Sequence, residues 1–208
     1  MAITMKKNKQ TGEKSRFSMV KERHRETFET ALSQGKVDEQ MQPLCIFITG
    51  AKKYFTSSCC SGRIMLLEKR GESRKENLFH RKWHREVDEK EIIEGMEENV
   101  EGDLWFKLDP FILHIGCETA RDANAALDAM RKAGVKRGGI LVAQEGKWLI
   151  EMQGTQSMSF PIRLGGKQLA DREYVRSILG KANSMLEKNY TMLARLEGEM
   201  RKALGEAK

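Results

Sequence analysis

Across residues 171–204 the apolar side chains Val175, Ile178, Leu179, Ala182, Met185, Leu186, Leu193, Leu196 and Met200 recur every three or four positions. That is the repeat of an α-helix carrying one apolar stripe, so the chain is predicted to end in a single long helix. Such a stripe gains stability only when it is covered. Its outer half is therefore expected to pack on the first helix or on another subunit.

The rest of the chain changes period often. Residues 15–33 carry Phe17, Val20, Phe28 and Leu32 among charges, a loosely amphipathic helix ending near Gly35. A short second helix follows, with Asp38 placed to cap it and Met41, Leu44, Cys45 and Ile48 at helical spacing. Residues 53–57 and 63–68 read as strands on either side of an SSCCSG turn, residues 78–84 as an ambiguous third strand, and residues 71–77 as a mobile connection. Asp88 with Glu91 forms a capping-box start for a helix over 88–100. Residues 104–106 form a strand, and FILHIGC (111–117), almost continuously apolar, reads as a core strand buried on both faces. Residues 119–133 form a helix stopped by Gly134, residues 139–143 and 147–152 a hairpin around Glu145-Gly146, and residues 157–162 a further strand. Short strands and hairpins mixed with helices, without βαβα alternation, indicate an α+β fold: a mixed, largely antiparallel sheet packed with helices and the long C-terminal one.

The 208 residues suit one domain over 15–208, preceded by a basic tail (1–14) that lacks apolar periodicity. No run approaches the ~20 apolar residues of a membrane span, and the N-terminus lacks the apolar stretch of a signal peptide, so the chain is expected in the cytoplasm. Cys45, Cys59, Cys60 and Cys117 show no C-x-x-C spacing, so reduced thiols and no structural metal are expected. Lysine and arginine number 37 against 30 acidic residues, and a dense run of cations between Lys52 and Arg85 includes Arg63, Lys69, Arg81 and Lys82. Such a patch releases condensed counterions from a phosphate backbone, which makes RNA a natural partner. Interleaved with Glu68, Glu72 and Glu76, the same cations would equally suit a solvated face.

No G-x-G-x-x-G follows a strand, no G-x-x-x-x-G-K-[ST] occurs, and H-x-E with P-C-x-x-C is missing. The dinucleotide fingerprint, the phosphate loop and zinc-deaminase chemistry are thereby set aside. What stands out is FTSSCCSGR (55–63), small hydroxyl and thiol groups in a row before a glycine and an arginine. Small side chains let a ligand approach main-chain N–H groups, hydroxyls add donors, and Arg63 can grip a carboxylate or phosphate through two hydrogen bonds. The plain alternative is a strand-to-strand turn rich in small residues.

FTSSCCSGRI (55–64) resembles the F-T-T-S-S-C-S-G-R-I signature of the wybutosine-synthesising tRNA methyltransferase family, and LDPFILHIGC (108–117) resembles its F-E-P-F-[IV]-L-H-V-x-C segment. The match continues in order through His84, Ala133-Gly134-Val135 with Gly139-Ile140, Thr155 with Pro161, Glu173-Tyr174-Val175, and Ala182-Asn183 to Met185 and Asn189. The chain departs where Cys59 and Gly138 replace the usual serines and Gln153 the usual arginine, the last removing a fixed charge that could hold a carboxylate or phosphate. The resemblance is to the archaeal single-domain form. It implies methylation of the N4 nitrogen of the 4-demethylwyosine-type base next to the anticodon of tRNA-Phe, with S-adenosylmethionine as donor. It also implies a fold other than the Rossmann methyltransferase fold.

On this resemblance Ser58, Cys60, Ser61, Gly62 and Arg63 are expected to bind the donor, and His84, Trp83, Lys82 and Arg81 to meet the RNA and its reacting base. Methyl transfer is an in-line displacement, so positioning supplies much of the acceleration. Loss of a proton from N4 would use a base, for which His114 and Asp109 are the candidates. His114 points to the opposite face from Phe111, Leu113 and Ile115, so it either reaches a cavity or sits satisfied in the core. Asp109, before Pro110, could instead open a turn. Trp83, Trp105 and Phe79 could stack on a flat base or fill the core. Two other functions fit parts of the pattern: a non-catalytic RNA-binding protein gripping phosphates through the basic segment, and an assembly protein built on the C-terminal helix. Monomer and homodimer are both open.

Overall fold

The computed structural model describes residues 15–205, so the basic tail expected at 1–14 lies outside the described residues. In chain order the elements are α1 (Arg16–Ser33), α2 (Gln42–Gly50), β1 (Tyr54–Cys60), β2 (Arg63–Lys69), β3 (Asn77–Trp83), α3 (Glu89–Glu97), β4 (Asp103–Asp109) and β5 (Ile112–Cys117). They continue with α4 (Ala120–Lys132), β6 (Arg137–Gln144), β7 (Lys147–Gln153), β8 (Met158–Leu164), β9 (Lys167–Gln168) and α5 (Arg172–Leu204). The α+β class, the antiparallel pairing and the long last helix are as expected. The strands divide into two sheets, one ordered β1-β5-β7-β6 and one ordered β3-β2-β4-β8-β9.

That division changes the meaning of the SSCCSG segment. β1 pairs with β5, whereas β2 pairs with β3 and β4, so the two strands do not form a hairpin. Ser57 to Cys60 complete β1, and only Ser61-Gly62 bends, as the chain passes from the four-stranded to the five-stranded sheet. Two further passages join the sheets: Pro110-Phe111 between β4 and β5, and residues 154–157 between β7 and β8. Gly154 N donates to Phe111 O at 3.0 Å, tying the second passage to the third.

The helix ends follow local chemistry. Ser15 and Thr119 cap α1 and α4 by accepting from Ser18 N and Asp122 N, and Asp171 caps α5 by accepting from Tyr174 N. The capping box of Asp88 and Glu91 opens α3 as expected. Asp38 departs from expectation: it makes no side-chain cap, and its carboxylate is used elsewhere. Lys21 on α1 donates to the carbonyls of Thr49, Ala51 and Tyr54 at 2.8, 2.9 and 2.6 Å. A cation at the end of α2 satisfies carbonyls that have no partner in the helix, and it docks α1 onto the start of β1.

Two apolar cores result, and α5 runs through both. At 33 residues it is about 50 Å long. Its first half puts Val175, Leu179, Ala182 and Leu186 against Ile64, Leu66, Phe106 and Ile92, under the five-stranded sheet with α3. Its second half puts Leu193, Leu196 and Met200 into a core with Leu44 and Ile48 of α2, Leu127 and Met130 of α4, and Leu113 and Ile115 of β5. The outer half thus lies on α2 and α4, while α1 packs on β1. β5 alternates more than its composition suggests: Leu113 and Ile115 are fully buried, whereas Ile112 and His114 are half-buried on the opposite face. Among the described residues no helix is long and apolar enough to cross a membrane.

Candidate active site

The three passages between the sheets converge on one residue of α5. A Cβ at Gly62 would lie 3.0 Å from Asn189 Nδ2, 3.1 Å from Asp109 O and 3.3 Å from Phe111 N, and one at Gly154 would lie 2.7 Å from Asn189 Oδ1 and 2.8 Å from the Phe111 ring. A Cβ at Gly154 would force its neighbours to shift, and Gly62, with φ +99° and tight contacts, takes a conformation that favours glycine. Asn189 is buried, and its amide nitrogen and oxygen have no hydrogen-bond partner. It lines a cavity of 310 Å³ with Phe111, Gln153, Thr155, Lys188 and Arg195. Gln153, one of the three departures from the family pattern, therefore sits where Lys136, Lys188 and Arg195 still provide cations.

On the other side of the bend, the carboxylate of Asp38 organises the small-residue segment. Its Oδ2 accepts from Ser61 N at 2.7 Å and Ser61 Oγ at 3.0 Å, and it lies 3.0 Å from His84 Nδ1. Burial works against the charge on Asp38, but the hydrogen bonds from His84 and Ser61 outweigh it and hold the carboxyl below its usual range. The hydrogen bond to Asp38, and behind it that to Cys60, pushes His84 up to about 9, so at neutral pH it is an imidazolium. Cys60 Sγ is 3.8 Å from the same ring nitrogen. The oxygen, sulfur and nitrogen of Asp38, Cys60 and His84 lie within 4.8 Å of one another. Hydrogen bonding within the protein accounts for that spacing, since Ser61 and His84 already occupy the carboxylate oxygen. Tyr190, next to Asn189, donates to His84 O at 2.9 Å; burial, then the nearby Asp38, raises its phenol to about 12. Asp38, Lys82, Trp83, His84 and Tyr190 line an open cleft of 570 Å³.

Past the bend, Arg63 donates to Asp109 Oδ2 at 3.2 Å, its register partner on β4, and its guanidinium lies 4.7 Å from the centre of the Phe79 ring. Lys107 lies 3.8 Å from the other oxygen of Asp109. Asp109, expected as a candidate base, is thus placed as the anchor of Arg63. On β1 before the bend, Ser58 is exposed and pairs with His114 of β5, whose Nε2 is 2.8 Å from Glu151 Oε2 on β7. His114 is therefore neither in the core nor alone. Ser58 and Cys60 share a strand face, so His114 beside one and His84 beside the other look onto the same side of β1.

Several expected site residues are placed differently. Ser61 is fully buried and spends both donors on Asp38, so it braces the bend and presents nothing to a ligand. Trp83 pairs with Ile64 and belongs to the core under the five-stranded sheet; at 9% exposure it offers the cleft little surface for stacking a base. Arg81 turns to α3 and pairs with Glu98. Cys59, a departure from the family pattern and not an expected site residue, packs toward the core, where a hydrogen bond from Cys45 lowers its pKa. Asp38, Glu151 and Asn189 are not among the expected site residues; a glutamate inside the apolar strand KWLIEMQ is a local signal for the second, and the match of Ala182-Asn183 through Asn189 to the family pattern is one for the third.

This arrangement of two sheets threaded around one helix recurs among solved structures. A Pyrococcus horikoshii protein superposes with a TM-score of 0.83 at 31% identity, over 88% of this chain and 95% of that one. The chain matches the family described as Methyltransferase TYW3 over residues 14–202, and it belongs to that methyltransferase family. It is 34% identical over 187 residues, 89% of this chain and 94% of the other, to a Thermococcus kodakarensis tRNA(Phe) 7-((3-amino-3-carboxypropyl)-4-demethylwyosine(37)-N(4))-methyltransferase. It is also 29% identical to a tRNA wybutosine-synthesizing protein 3 homolog of Danio rerio, over 82% of this chain and 69% of that protein.

Proposed function

We propose that the chain acts in the cytoplasm, transferring a methyl group from S-adenosylmethionine to the N4 nitrogen of the 4-demethylwyosine-type base beside the anticodon of tRNA-Phe. The observation that carries this reading is the convergence of residues 58–63 and 109–114, distant in sequence, on one junction with glycine-lined backbone and unspent polar groups. Arg63 Nε and both amide atoms of Asn189 are shielded from water without partners, and buried polar groups of this kind call for one. A donor with a carboxylate at one end and an adenine at the other offers acceptors for the guanidinium and a matching edge for the amide.

When bound, the donor supplies an electrophilic methyl group. Ser58, Cys60, Gly62 and Arg63 hold and orient it, with Ser61 and Asp38 fixing the bend and Asp109 fixing Arg63. His84, cationic at neutral pH, donates toward the RNA side of the cleft together with Lys82. His114 gives its Nε2 proton to Glu151 as a hydrogen bond, which leaves Nδ1 as an acceptor for the proton that N4 sheds. Nucleoside mass spectrometry after incubating the protein with the donor and tRNA-Phe carrying the unmethylated intermediate should show the base heavier by one methyl group. Intact, unchanged substrate in the presence of bound donor would overturn the reading.

A further inference from the structure

The five-stranded sheet has one face packed on α3 and α5 and a second face that belongs to neither apolar core. The second face follows from register. Met65 lies between Lys82 and Lys107, and Leu67 lies between Phe79 and Trp105. Arg63 with Asp109 closes one end, and Lys69 with Asn77 and Asp103 the other. Side-chain contacts agree with that assignment: Arg63 and Lys82 lie over the Phe79 ring at 4.7 and 5.5 Å, and Lys69 lies 3.8 Å from the centre of the Trp105 ring. Three of the four cation–ring contacts among the described residues are on this face.

Four cations, two aromatic rings and two carboxylates, Asp109 bridged by Arg63 and Lys107 at one end and Asp103 holding Gly165 N at the other, form a surface for a polyanion with flat faces. Phe79 is 51% exposed, although it stands in the middle of a strand. Trp105 Nε1 and Asn77 Oδ1, a donor and an acceptor, are shielded from water and lack partners. Six residues of strand separate the Arg63 row from the Lys69 row, roughly 20 Å, and two strand spacings put Phe79 and Trp105 about 10 Å apart. Those distances suit a few splayed nucleotides better than the continuous backbone of a duplex. An exposed cation on a ring is worth about 0.5–1 kcal/mol, whereas a base stacked on a ring is worth about 1–3 kcal/mol. Exchanging the first for the second also frees Lys69 and Lys82 to meet phosphates, while Arg63 stays on Asp109.

We propose that this outer face, through Phe79, Trp105, Lys69, Lys82 and Lys107, is the platform on which the unpaired nucleotides flanking the reacting base dock. The proposal rests on the reading of the chain as a tRNA methyltransferase, since Arg63 and Asp109 join the platform to the candidate active site. It moves base stacking from Trp83, which is core, to Trp105 and Phe79.

The probe is a short RNA hairpin whose loop matches the anticodon loop of tRNA-Phe, with a blunt RNA duplex of equal length as comparison. The protein should bind the hairpin more tightly and lose tryptophan fluorescence on doing so. Phe79→Ala and Trp105→Ala should each weaken hairpin binding about 5- to 100-fold. Lys82→Gln should lower the salt dependence of log K by about 0.7. Trp105→Phe should keep most of the affinity but lose the quench. Equal binding of hairpin and duplex would overturn the platform, as would unchanged affinity in both Phe79→Ala and Lys82→Gln, which alter exposed side chains and leave the cores intact. Donor binding, measured separately by calorimetry, should be the same in Lys82→Gln and in both Trp105 variants. A wild type that binds the hairpin but never methylates the modified tRNA would defeat the proposed function and leave the platform standing.

Discussion

The two sheets share helix α5 and the three passages around Asn189, yet they show their surroundings opposite chemistry. On the exposed side of β1 and β5, the four-stranded sheet carries short or titratable groups: Ser58, Cys60, and His114 with Glu151 behind it. The outer face of the five-stranded sheet carries long cations laid on aromatic rings. Short groups held by hydrogen bonds position a small molecule to fractions of an ångström, and long cations follow a polyanion. On the proposed function and the proposed platform, the proton-accepting group belongs to the four-stranded sheet and nucleotide docking to the five-stranded one, with Arg63 and Asp109 at their junction. The largest expected effect lies at His114. His114→Gln keeps a hydrogen-bonding group beside Glu151 but offers no ring nitrogen to take a proton, so kcat should fall about 10²- to 10⁴-fold. Donor affinity by calorimetry should hold. An unchanged kcat would remove proton transfer from the four-stranded sheet.

The next effect concerns the brace between the sheets. His84 has its pKa raised from 6.5 to about 9 by Asp38 and Cys60. A raised pKa means that the folded state holds the proton more tightly, so the stabilisation is complete below pH 6.5 and is lost as pH rises through about 9. The shift corresponds to at most about 3 kcal/mol. Asp38 is shifted the other way, so its contribution is lost on acidification as the folded carboxyl protonates. Denaturant unfolding between pH 6 and 10 should therefore show stability falling with pH. In Asp38→Asn that slope should largely vanish; if it survives, His84 is held by something other than Asp38.

Gly62→Ala comes next in size. Its φ of +99° strains any residue with a Cβ, at about 1–3 kcal/mol, and that Cβ would press on Asn189, Asp109 and Phe111 at 3.0–3.3 Å. Because the bend serves both sheets, the melting temperature and donor affinity should fall together. Loss of stability with donor affinity intact would separate the bend from the binding site.

What was legible beforehand follows the reach of each signal. The last helix, the capping box at Asp88, the helix after Thr119 and the hairpin around Glu145-Gly146 are written in neighbouring residues, and they form as read. The partition into two sheets is not so written, because a strand shows the same alternation whichever partner it takes. Ser57 to Cys60 read as a turn by composition; pairing with β5 makes them strand, a tertiary choice overriding local preference. Arg63 and Asp109 were each visible as candidates, but their 46-residue separation hid that one anchors the other. Asp38 looked like a cap because capping and bracing call for the same short carboxylate, and only the fold distinguishes them. Trp83 stands among basic residues and Trp105 between Leu104 and Phe106, which favours Trp83 for stacking; register instead sends Trp83 to the core and Trp105 to the outer face.

The smallest effect tests whether the two clefts beside the bend are mechanically separate. Asn189 and Tyr190 are consecutive on α5, one lining the 310 Å³ cavity and the other the 570 Å³ cleft. Tyr190 fixes the backbone of His84 through one hydrogen bond, from its hydroxyl to the carbonyl. Tyr190→Phe deletes that bond and leaves the carbonyl of a half-buried residue to find water, a loss of about 1 kcal/mol. Unfolding should register this loss, and the nuclear magnetic resonance titration of His84 should move little, because its Nδ1 contact with Asp38 is on the ring and not on the backbone. If Tyr190→Phe instead lowers the His84 pKa by a full unit, the helix sets the imidazole's geometry. The two clefts would then respond to α5 as one.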